Sequence, residues 1–367
     1  MTIIITDDDV KRLLPMRDCI EAMRVAFRDF AAGSAVNVPR VRYLAEHPDS
    51  DRKYFANIHV GAVPSYGVAC VRAGSHILRP PSATVTRRMY ENPQPFNSGI
   101  VLLYSTETAQ LIALLHEFHM SGMRVAATNA LAVDEIARPD AATLGLFGTG
   151  KQARTAVEAL PLVRPFRRVH VYSPSAEHRQ SFAREMTREG VEVVAVDAPE
   201  AVIEGADVIC CATSSLKPVF DGNRLSEGQL VITIANSDIT NRNRRSEVDQ
   251  RTYERAGAII VTDWDSVISS DQRELLDLLE ANVIRQEQIH ELKDIVAGKV
   301  KVKQPPRGAK GEIIYYKNNA GIAIQFAAAG GLVYRRAMAD GNNKTIPADW
   351  LGTDLSAFYK AGFRPSP

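Results

Sequence analysis

The stretch "TLGLFGTGKQARTAVEAL" at residues 143–160 decides the fold class of this 367-residue chain. A short apolar run ends in Gly148-Thr149-Gly150, and an alanine-rich sequence with helical spacing follows directly. A strand, a glycine turn and a helix in this order form the first unit of a dinucleotide-binding α/β fold. A plain strand-to-helix turn and a methyltransferase loop are the alternatives, so the surrounding sequence has to decide.

The small residues of this turn fit the G-x-G-x-x-G/A pattern, with Gly148, Gly150 and Ala153 at its three positions. The first glycine permits a tight turn, the second lets a pyrophosphate approach the backbone, and the third lets the helix lie close to the strand. The N–H groups that open the helix then face the phosphates. We therefore predict a dinucleotide site at Gly148, Thr149, Gly150 and Ala153.

The rest of the chain supports this prediction. From residue 143 onward, short β-rich apolar runs such as "RRVHVYS", "DVICCAT" and "AIIVTD" alternate with helical stretches. Such alternation is typical of a parallel, doubly wound sheet. The sequence before it carries short runs broken by Gly and Pro, and an alanine-rich helix near the C-terminus can pack back on them. We predict an α/β chain with a Rossmann domain at 136–315 and an α+β domain built from both chain ends, 1–135 and 316–367.

The composition bounds what the protein binds. The chain has 44 basic and 43 acidic residues and a net charge of +1, so no global field points to nucleic acid. No apolar run reaches the roughly 18–20 residues that cross a bilayer, and the N-terminus turns acidic where a signal peptide is apolar. We expect a cytoplasmic protein without membrane contact. The Lys-rich stretch 298–311 is expected to be a solvated loop or a short edge hairpin, with a substrate-facing loop as the alternative.

The cysteines lie in apolar segments and lack the spacing of metal ligands. Cytosolic chains rarely hold disulfides. We therefore predict no zinc site and four buried free thiols: Cys19, Cys70, Cys210 and Cys211.

The end of the second predicted strand indicates which cofactor is bound. An Asp or Glu there would hold the ribose 2′-hydroxyl of NAD, but this chain has Ser173 in "VYSPSAEHR". A missing carboxylate removes the repulsion against a 2′-phosphate, which Ser173, Ser175 and Arg179 are placed to contact. The pattern favours NADP and leaves NAD as the alternative, with Arg179 as a solvated helix residue in that case.

Residues 102–160 carry a more specific pattern: a "RxAA" helix, then "ARPDA", then "GxGxQA". Further matches are "EGADVICCAT", "PVF", "IANSD" and the "K…G.A" stretch at 317–323. Together they resemble the ornithine cyclodeaminase/mu-crystallin family. The resemblance implies a Rossmann domain joined to a substrate-binding and dimerisation domain, and a homodimer. The family contains cyclodeaminases, alanine dehydrogenases, ketimine reductases and non-enzymatic binding proteins.

By position, the resemblance also implies functional residues. Arg124 corresponds to the arginine that pairs with the substrate carboxylate, and Arg40 to a second carboxylate contact, with Arg42 as a rival. Asp238 corresponds to an acid that holds the substrate nitrogen or transfers a proton, with a helix N-cap as its structural alternative. Gln152 and Ala153 would line the pyrophosphate turn, and Thr213 would lie near the cofactor.

The departures from the family pattern concern catalysis. Many members have a lysine acid or base where this chain has Arg72. A guanidinium binds a carboxylate or stabilises developing negative charge, but it does not give up its proton and cannot be a general base. We keep Arg72 as a candidate catalytic and substrate-binding residue in that sense. A usual threonine and an acid of the last helix are replaced by Val125 and Gln325, which indicates a divergent branch.

The resemblance and the departures from it leave three possible functions. The first is an NAD(P)-dependent imine reductase or amino-acid dehydrogenase acting on a small 2-imino or 2-amino acid, whose partner is a carboxylate-bearing, amino-acid-like substrate. The second is a cyclodeaminase of ornithine or a related diamino acid that releases ammonia, which the missing lysine disfavours. The third is a cofactor-dependent binding protein of the mu-crystallin type.

Overall fold

The computed structural model describes residues 1–79, the backbone of 89–90, and residues 99–235, 246–318 and 321–356. Asp238 lies outside these residues. The first part of the chain forms one lobe. Its elements are β1 (Thr2–Ile5), α1 (Asp7–Leu13), α2 (Met16–Ala31), β2 (Val36–Glu46), β3 (Lys53–Val63), β4 (Val68–Arg79), β5 (Met89–Tyr90), β6 (Ile100–Ser105), β7 (Leu111–His116) and α3 (Phe118–Ile136).

The second lobe follows, and the chain then returns to the first. The second lobe contains β8 (Thr143–Phe147), α4 (Lys151–Ala159), β9 (Arg168–Tyr172), α5 (Ala176–Met186), β10 (Glu192–Ala195), α6 (Glu200–Ile203), β11 (Val208–Cys211), β12 (Leu230–Thr233), α7 (Gln250–Arg255), β13 (Ala256–Val261), α8 (Trp264–Ser269), α9 (Arg273–Glu280), β14 (Ile289–Glu291), α10 (Leu292–Val296) and β15 (Ile313–Lys317). The returning segment forms α11 (Ala323–Asp340), β16 (Lys344–Ile346) and α12 (Ala348–Leu351).

The second lobe is the predicted parallel sheet. Its eight described strands run in the order β10-β9-β8-β11-β12-β15-β13-β14, and every pairing is parallel. The strand order reverses between β8 and β11, where a doubly wound sheet opens a crevice at the carboxyl ends of its strands. The predicted fold class is confirmed, and the glycine turn after β8 lies at this crevice.

The first lobe is a mixed sheet covered by helices. Its described strands run β16-β1-β7-β6-β4-β3-β2, with β5 on β4. Helix α11 packs on β2, β3, β4 and β6 and on α2 and α3, so the returning segment completes the core of this lobe. Its small residues, "AAAGG" at 327–331, let the helix approach the sheet closely. Both chain ends therefore build this lobe, as the sequence predicted.

Strand β15 marks where the chain leaves the parallel sheet. Its residues pair with β12 on one side and β13 on the other, and its last residue, Lys317, forms a buried ion pair of 2.6 Å with Glu274. The domain boundary predicted at 315 falls inside this strand. We propose that the first lobe resumes after Lys317.

Two further predictions concern single segments. The four cysteines are buried and free, and residues 298–311 form a loop, as expected. Across the described ranges, the helices are too short or too polar to cross a bilayer.

Candidate functional site

The glycine turn after β8 has the geometry that its sequence predicts. Gly148 has φ +104°, and a Cβ at this position would lie 2.3 Å from the carbonyl oxygen of Ala212. Only glycine fits both conditions. A Cβ at Gly150 would meet nothing within 4 Å, so this backbone faces open space, while Ala153 is fully buried against the sheet. The turn therefore leaves its second glycine accessible to a ligand.

A cleft of about 1690 Å³ opens at this turn. Its walls are the glycine turn, the segment 172–175 after β9 and the segment 212–219 after β11. Because these segments follow three parallel strands, they meet at the carboxyl edge of the sheet. Most of the predicted cofactor residues line the cleft: Gly148, Thr149, Gly150, Gln152, Ser173, Ser175 and Thr213.

Arg179 takes a different position from the one predicted. Its guanidinium donates to the carbonyl of Ser173 at 3.1 Å and to Asp197 Oδ1 at 2.8 Å, and it lies over the ring of Tyr172. It is not among the residues that form the cleft wall. Arg179 therefore holds the backbone of Ser173 from behind. Four basic side chains that we did not predict do line the cleft: Lys151, Arg154, His178 and Lys217.

Glu247 supports the far wall of the cleft. Its buried carboxylate accepts hydrogen bonds from the backbone N–H and the hydroxyl of Thr213, both at 2.7 Å. The backbone N–H groups of Ile234 and Ala235 donate to its other oxygen. Burial raises the pKa of Glu247, although these four donors oppose the shift. The Glu247 carboxylate thus links the residues that follow β11 to those that follow β12. The residues after β12 directly precede the segment that contains Asp238.

A second group of charged residues lies in the first lobe around the ring of Phe326, which is buried on α11. The guanidinium carbon of Arg124 is 4.6 Å from the ring centroid, that of Arg72 is 5.5 Å away, and the His59 ring centroid is 5.4 Å away. Three basic side chains, contributed by α3, β4 and β3, therefore contact one aromatic ring. We call Arg124, Arg72, His59 and Arg40 the arginine cluster.

Arg124 has no acidic partner among the described residues. Its guanidinium donates to Gln325 Oε1 at 2.7 Å, and the Gln325 amide in turn donates to Thr128. Burial, together with the neighbouring charge of Arg72, lowers the pKa of Arg124 to about 9, so the side chain is still a cation at neutral pH. Because Gln325 is neutral, Arg124 has no ion-pair partner among the described residues, and the nearest acid that acts on it is Glu117.

Arg72 does have an acidic partner, which the sequence pattern around Arg72 does not indicate. Its guanidinium donates to Glu117 Oε1 at 2.9 Å and to the carbonyl of Asn57 at 3.2 Å. Both charged side chains are buried, with 6% and 4% exposed. Glu117 lies just before α3, and no motif in a single sequence links it to a residue of β4. Glu117 thus holds the Arg72 guanidinium in a fixed position.

Arg40 joins the cluster from β2. It is buried, its Nε donates to Ser270 Oγ at 3.2 Å, and its Nη1 lies against the backbone of Gly321. Both Arg40 and its predicted rival Arg42 act electrostatically on His59. The hydrogen bond to Ser270, which follows β13, joins the first lobe to the carboxyl edge of the parallel sheet.

Lys151 connects the two sites. It lines the cleft at the first position of α4, donates a hydrogen bond to the carbonyl of Phe118, and lies over the Phe118 ring. The charges of Glu117 and Arg124 also act electrostatically on the Lys151 ammonium group. The glycine turn and the arginine cluster are therefore neighbours on either side of Lys151.

These features are those of a Rossmann-type α/β protein that has a cluster of buried basic side chains in its first lobe. The chain belongs to the ornithine cyclodeaminase/mu-crystallin family, whose sequence profile matches residues 1–341.

Known proteins of this family act on amino and imino acids. An NAD(P)H-dependent anabolic L-arginine dehydrogenase of Pseudomonas aeruginosa is 30% identical over 246 residues, which cover 67% of this chain and 71% of that protein. The structure of Thermococcus litoralis Δ1-pyrroline-2-carboxylate reductase with NADH and L-proline covers 94% of this chain and 100% of its own, with TM-score 0.77 and 23% identity. An archaeal alanine dehydrogenase dimer with bound NAD covers 94% and 99%, with the same TM-score and identity. These two structures establish the shared fold.

Proposed function

We propose that the protein is an NAD(P)-dependent imine reductase or amino-acid dehydrogenase that acts on a small 2-imino or 2-amino acid. The observation that carries the proposal is Arg124, a buried cation that hydrogen-bonds to the neutral Gln325. A buried charge without a counter-charge is costly, and a planar guanidinium binds a carboxylate through two parallel hydrogen bonds. The carboxylate of the substrate supplies the missing negative charge.

The other predicted residues complete the proposed site. Arg40 provides a second contact to the carboxylate, and Arg72 stabilises negative charge while its bond to Glu117 keeps it in place. We assign Asp238 to a contact with the substrate nitrogen. Gly148 and Gly150 form a cradle that fits a pyrophosphate, and a nicotinamide cofactor bound there supplies or accepts the hydride at the α-carbon. The protein orients the substrate for that transfer.

We infer that NADP is preferred to NAD. Ser173 and Ser175 line the cleft where an NAD-binding protein has an acid, and His178 lies beside them. None of these side chains repels a 2′-phosphate, and a serine hydroxyl donates a hydrogen bond to it. The relatives described above use NAD(H) or NAD(P)H.

We also infer a homodimer. Val38 and Val60 lie opposite each other on β2 and β3, and both are at least 40% exposed on the sheet face that α11 does not cover. Val36 and Ile100 extend this apolar surface. An apolar face of this kind is typical of a protein–protein contact, and the archaeal alanine dehydrogenase is a dimer. Sedimentation of the purified chain tests this inference.

The function is tested by following nicotinamide absorbance with purified protein. NADH and NADPH are each offered with 2-oxo acids plus ammonia or methylamine, and with pyrroline- and piperideine-2-carboxylate. We expect stoichiometric oxidation of the cofactor with at least one imine, and a higher kcat/KM with NADPH. Arg124→Met should abolish turnover. The matched control is Arg168→Met, which removes an arginine that is 58% exposed and far from the site and should leave turnover unchanged.

Two other outcomes would replace the proposal. Ammonia released from ornithine or lysine with catalytic amounts of cofactor would indicate a cyclodeaminase. Binding of cofactor and a carboxylate without any turnover would indicate a binding protein. The permanent charge of Arg72 disfavours the cyclodeaminase, since that reaction needs a base where other members have lysine.

A further inference from the structure

His59 is a buried histidine that the proposed function does not yet use. It lies on β3 directly opposite Arg72 of β4, and it is 2% exposed. Neither ring nitrogen has a hydrogen-bond partner among the described residues. Buried polar atoms of native proteins are nearly always paired, because an unpaired one loses its hydration without compensation. The two free nitrogens therefore indicate that His59 faces a ligand.

The backbone of Gly321 shows where the imidazole points. Gly321 has φ +105°, and a Cβ there would lie 2.7 Å from His59 Nε2 and 2.8 Å from Arg40 Nη1. Both nitrogens thus lie beside the same face of Gly321. The His59 ring also contacts the ring of Phe326, and the guanidinium groups of Arg72 and Arg124 contact the same ring. His59 is therefore inside the arginine cluster, where the substrate carboxylate is proposed to bind.

The charged groups that face His59 keep its ring neutral. They are Arg72 from β4, Arg124 from α3, and Arg40 and Arg42 from β2. The acid nearest to these groups is Glu117, which is bonded to Arg72, while α11 contributes the uncharged Phe326 and Gln325. Burial first, and then these cations, hold the pKa of His59 well below its usual value. A neutral imidazole has one nitrogen that accepts a proton.

We propose that His59 is the catalytic base that removes a proton from the substrate nitrogen. The step rests on the proposed function. In the oxidative direction, an N–H bond of the substrate ammonium breaks and the proton moves to the ring of His59. The neutral amine is the form from which a bound oxidised nicotinamide would accept the hydride of the α-carbon, which would leave a C=N bond in the product. In the reductive direction the amine nitrogen takes the proton back from the imidazolium.

The substrate itself assists this step. Its carboxylate, bound at Arg124, offsets part of the positive charge around His59. An added negative charge raises the pKa of a nearby imidazole. His59 therefore becomes a stronger base when the substrate is in place, and stays unprotonated when the site is empty. Glu117 is a weaker candidate, since its Oε1 already accepts a hydrogen bond from Arg72.

The first test observes His59 directly, without turnover. The full-length protein labelled with ¹⁵N-histidine has eight histidines, and His59→Asn identifies the signals of His59. Pyrrole-2-carboxylate, a planar anion that cannot be reduced by hydride, is the probe, added with NADP. We expect neutral-ring signals at pH 7 and a shift towards the protonated form when the probe binds, with His290 unchanged. Unchanged His59 signals on binding would overturn the proposal, as would failure of the probe to bind.

The second test is kinetic. His59→Asn should lower kcat by about 10²- to 10⁴-fold, the usual contribution of a general base, with KM within a few fold. The acidic limb of the pH profile of kcat should disappear, which a structural role would not cause. His59→Gln serves if the asparagine variant does not fold, and His290→Asn, on the edge strand β14, is the matched control. If the wild type turns over and the His59 variant has the same kcat, the proposal for His59 is wrong and the proposed function stands. If the wild type has no activity, both the proposed function and the role of His59 are wrong.

Discussion

Arg72 and Glu117 form an ion pair of 2.9 Å whose two side chains are 6% and 4% exposed. Arg72 belongs to β4 and Glu117 to the turn before α3, so the pair links the sheet of the first lobe to the helix that carries Arg124. It also accounts for an arginine at a place where a lysine base occurs in other family members. The pair holds the Arg72 guanidinium in position.

Breaking this pair should destabilise the fold. Glu117→Ala leaves the Arg72 cation buried and uncompensated, which costs about 3–5 kcal/mol in the free energy of unfolding. The matched control is Glu192→Ala, which breaks the Arg168–Glu192 pair, 58% exposed on both sides; it should cost less than about 1 kcal/mol. Urea unfolding measures both. Similar losses in the two variants would contradict a special contribution from the buried pair.

The two glycines of the turn should respond differently to alanine. Gly148→Ala meets a positive φ and the carbonyl of Ala212, and strain of this kind costs of the order of 1–3 kcal/mol. Gly150→Ala has free space and a negative φ, so its stability should change little. Its methyl group would instead occupy the path of the pyrophosphate. Cofactor titration by nicotinamide fluorescence should show weaker binding in both variants, whereas thermal unfolding should be impaired only in Gly148→Ala.

Arg124 should contribute to substrate binding at the expense of stability. Arg124→Met removes the uncompensated cation and keeps an unbranched apolar chain, so its free energy of unfolding should equal or exceed that of wild type. The same variant should lose at least about 100-fold in kcat/KM, because a charge-assisted bidentate contact is lost. Arg124→Lys keeps the charge without the two-pronged geometry and should fall in between. A destabilised Arg124→Met protein would mean that the cation has a partner in the fold.

Stability should depend on pH through His59. Its folded-state pKa lies well below the ordinary value, which is about 6.5. Below pH 6.5 the unfolded chain therefore takes up a proton that the folded chain does not, so acidification destabilises the fold. Relative to His59→Asn, wild type should lose about 1 kcal/mol between pH 6.5 and 5.5. Chemical denaturation of both proteins across this range gives the difference, and a constant difference would rule out a depressed pKa.

Cofactor preference should change at one position. Ser173→Asp places a carboxylate where an NAD-binding protein holds the ribose hydroxyls, and its charge repels the 2′-phosphate of NADP. We expect the dissociation constant for NADPH to rise at least about 10-fold and that for NADH to stay equal or fall. Ser181→Asp, also at the cleft wall, controls for added charge alone. Equal effects on the two cofactors would contradict contact between Ser173 and the ribose.

The sequence by itself determined the parallel sheet and the glycine turn. These depend on local order: strand and helix periods follow from side-chain spacing, and Gly148 is dictated by its own backbone conformation. Arg124 came from the resemblance of its helix to the family pattern, and its role stays a prediction. Such features remain visible in a linear chain because the residues that define them are close in sequence.

Only the tertiary structure decided which side chains meet. His59 lies beside Arg72 because of the register between β3 and β4, and a shift of one residue would turn it to the opposite face of the sheet. Glu117 reaches Arg72, and Glu247 reaches Thr213, across long stretches of chain. Burial then fixes their chemistry, because removal from water makes each unpaired charge or ring nitrogen costly. Neither the strand register nor the burial of these side chains can be predicted from residue spacing in a single sequence.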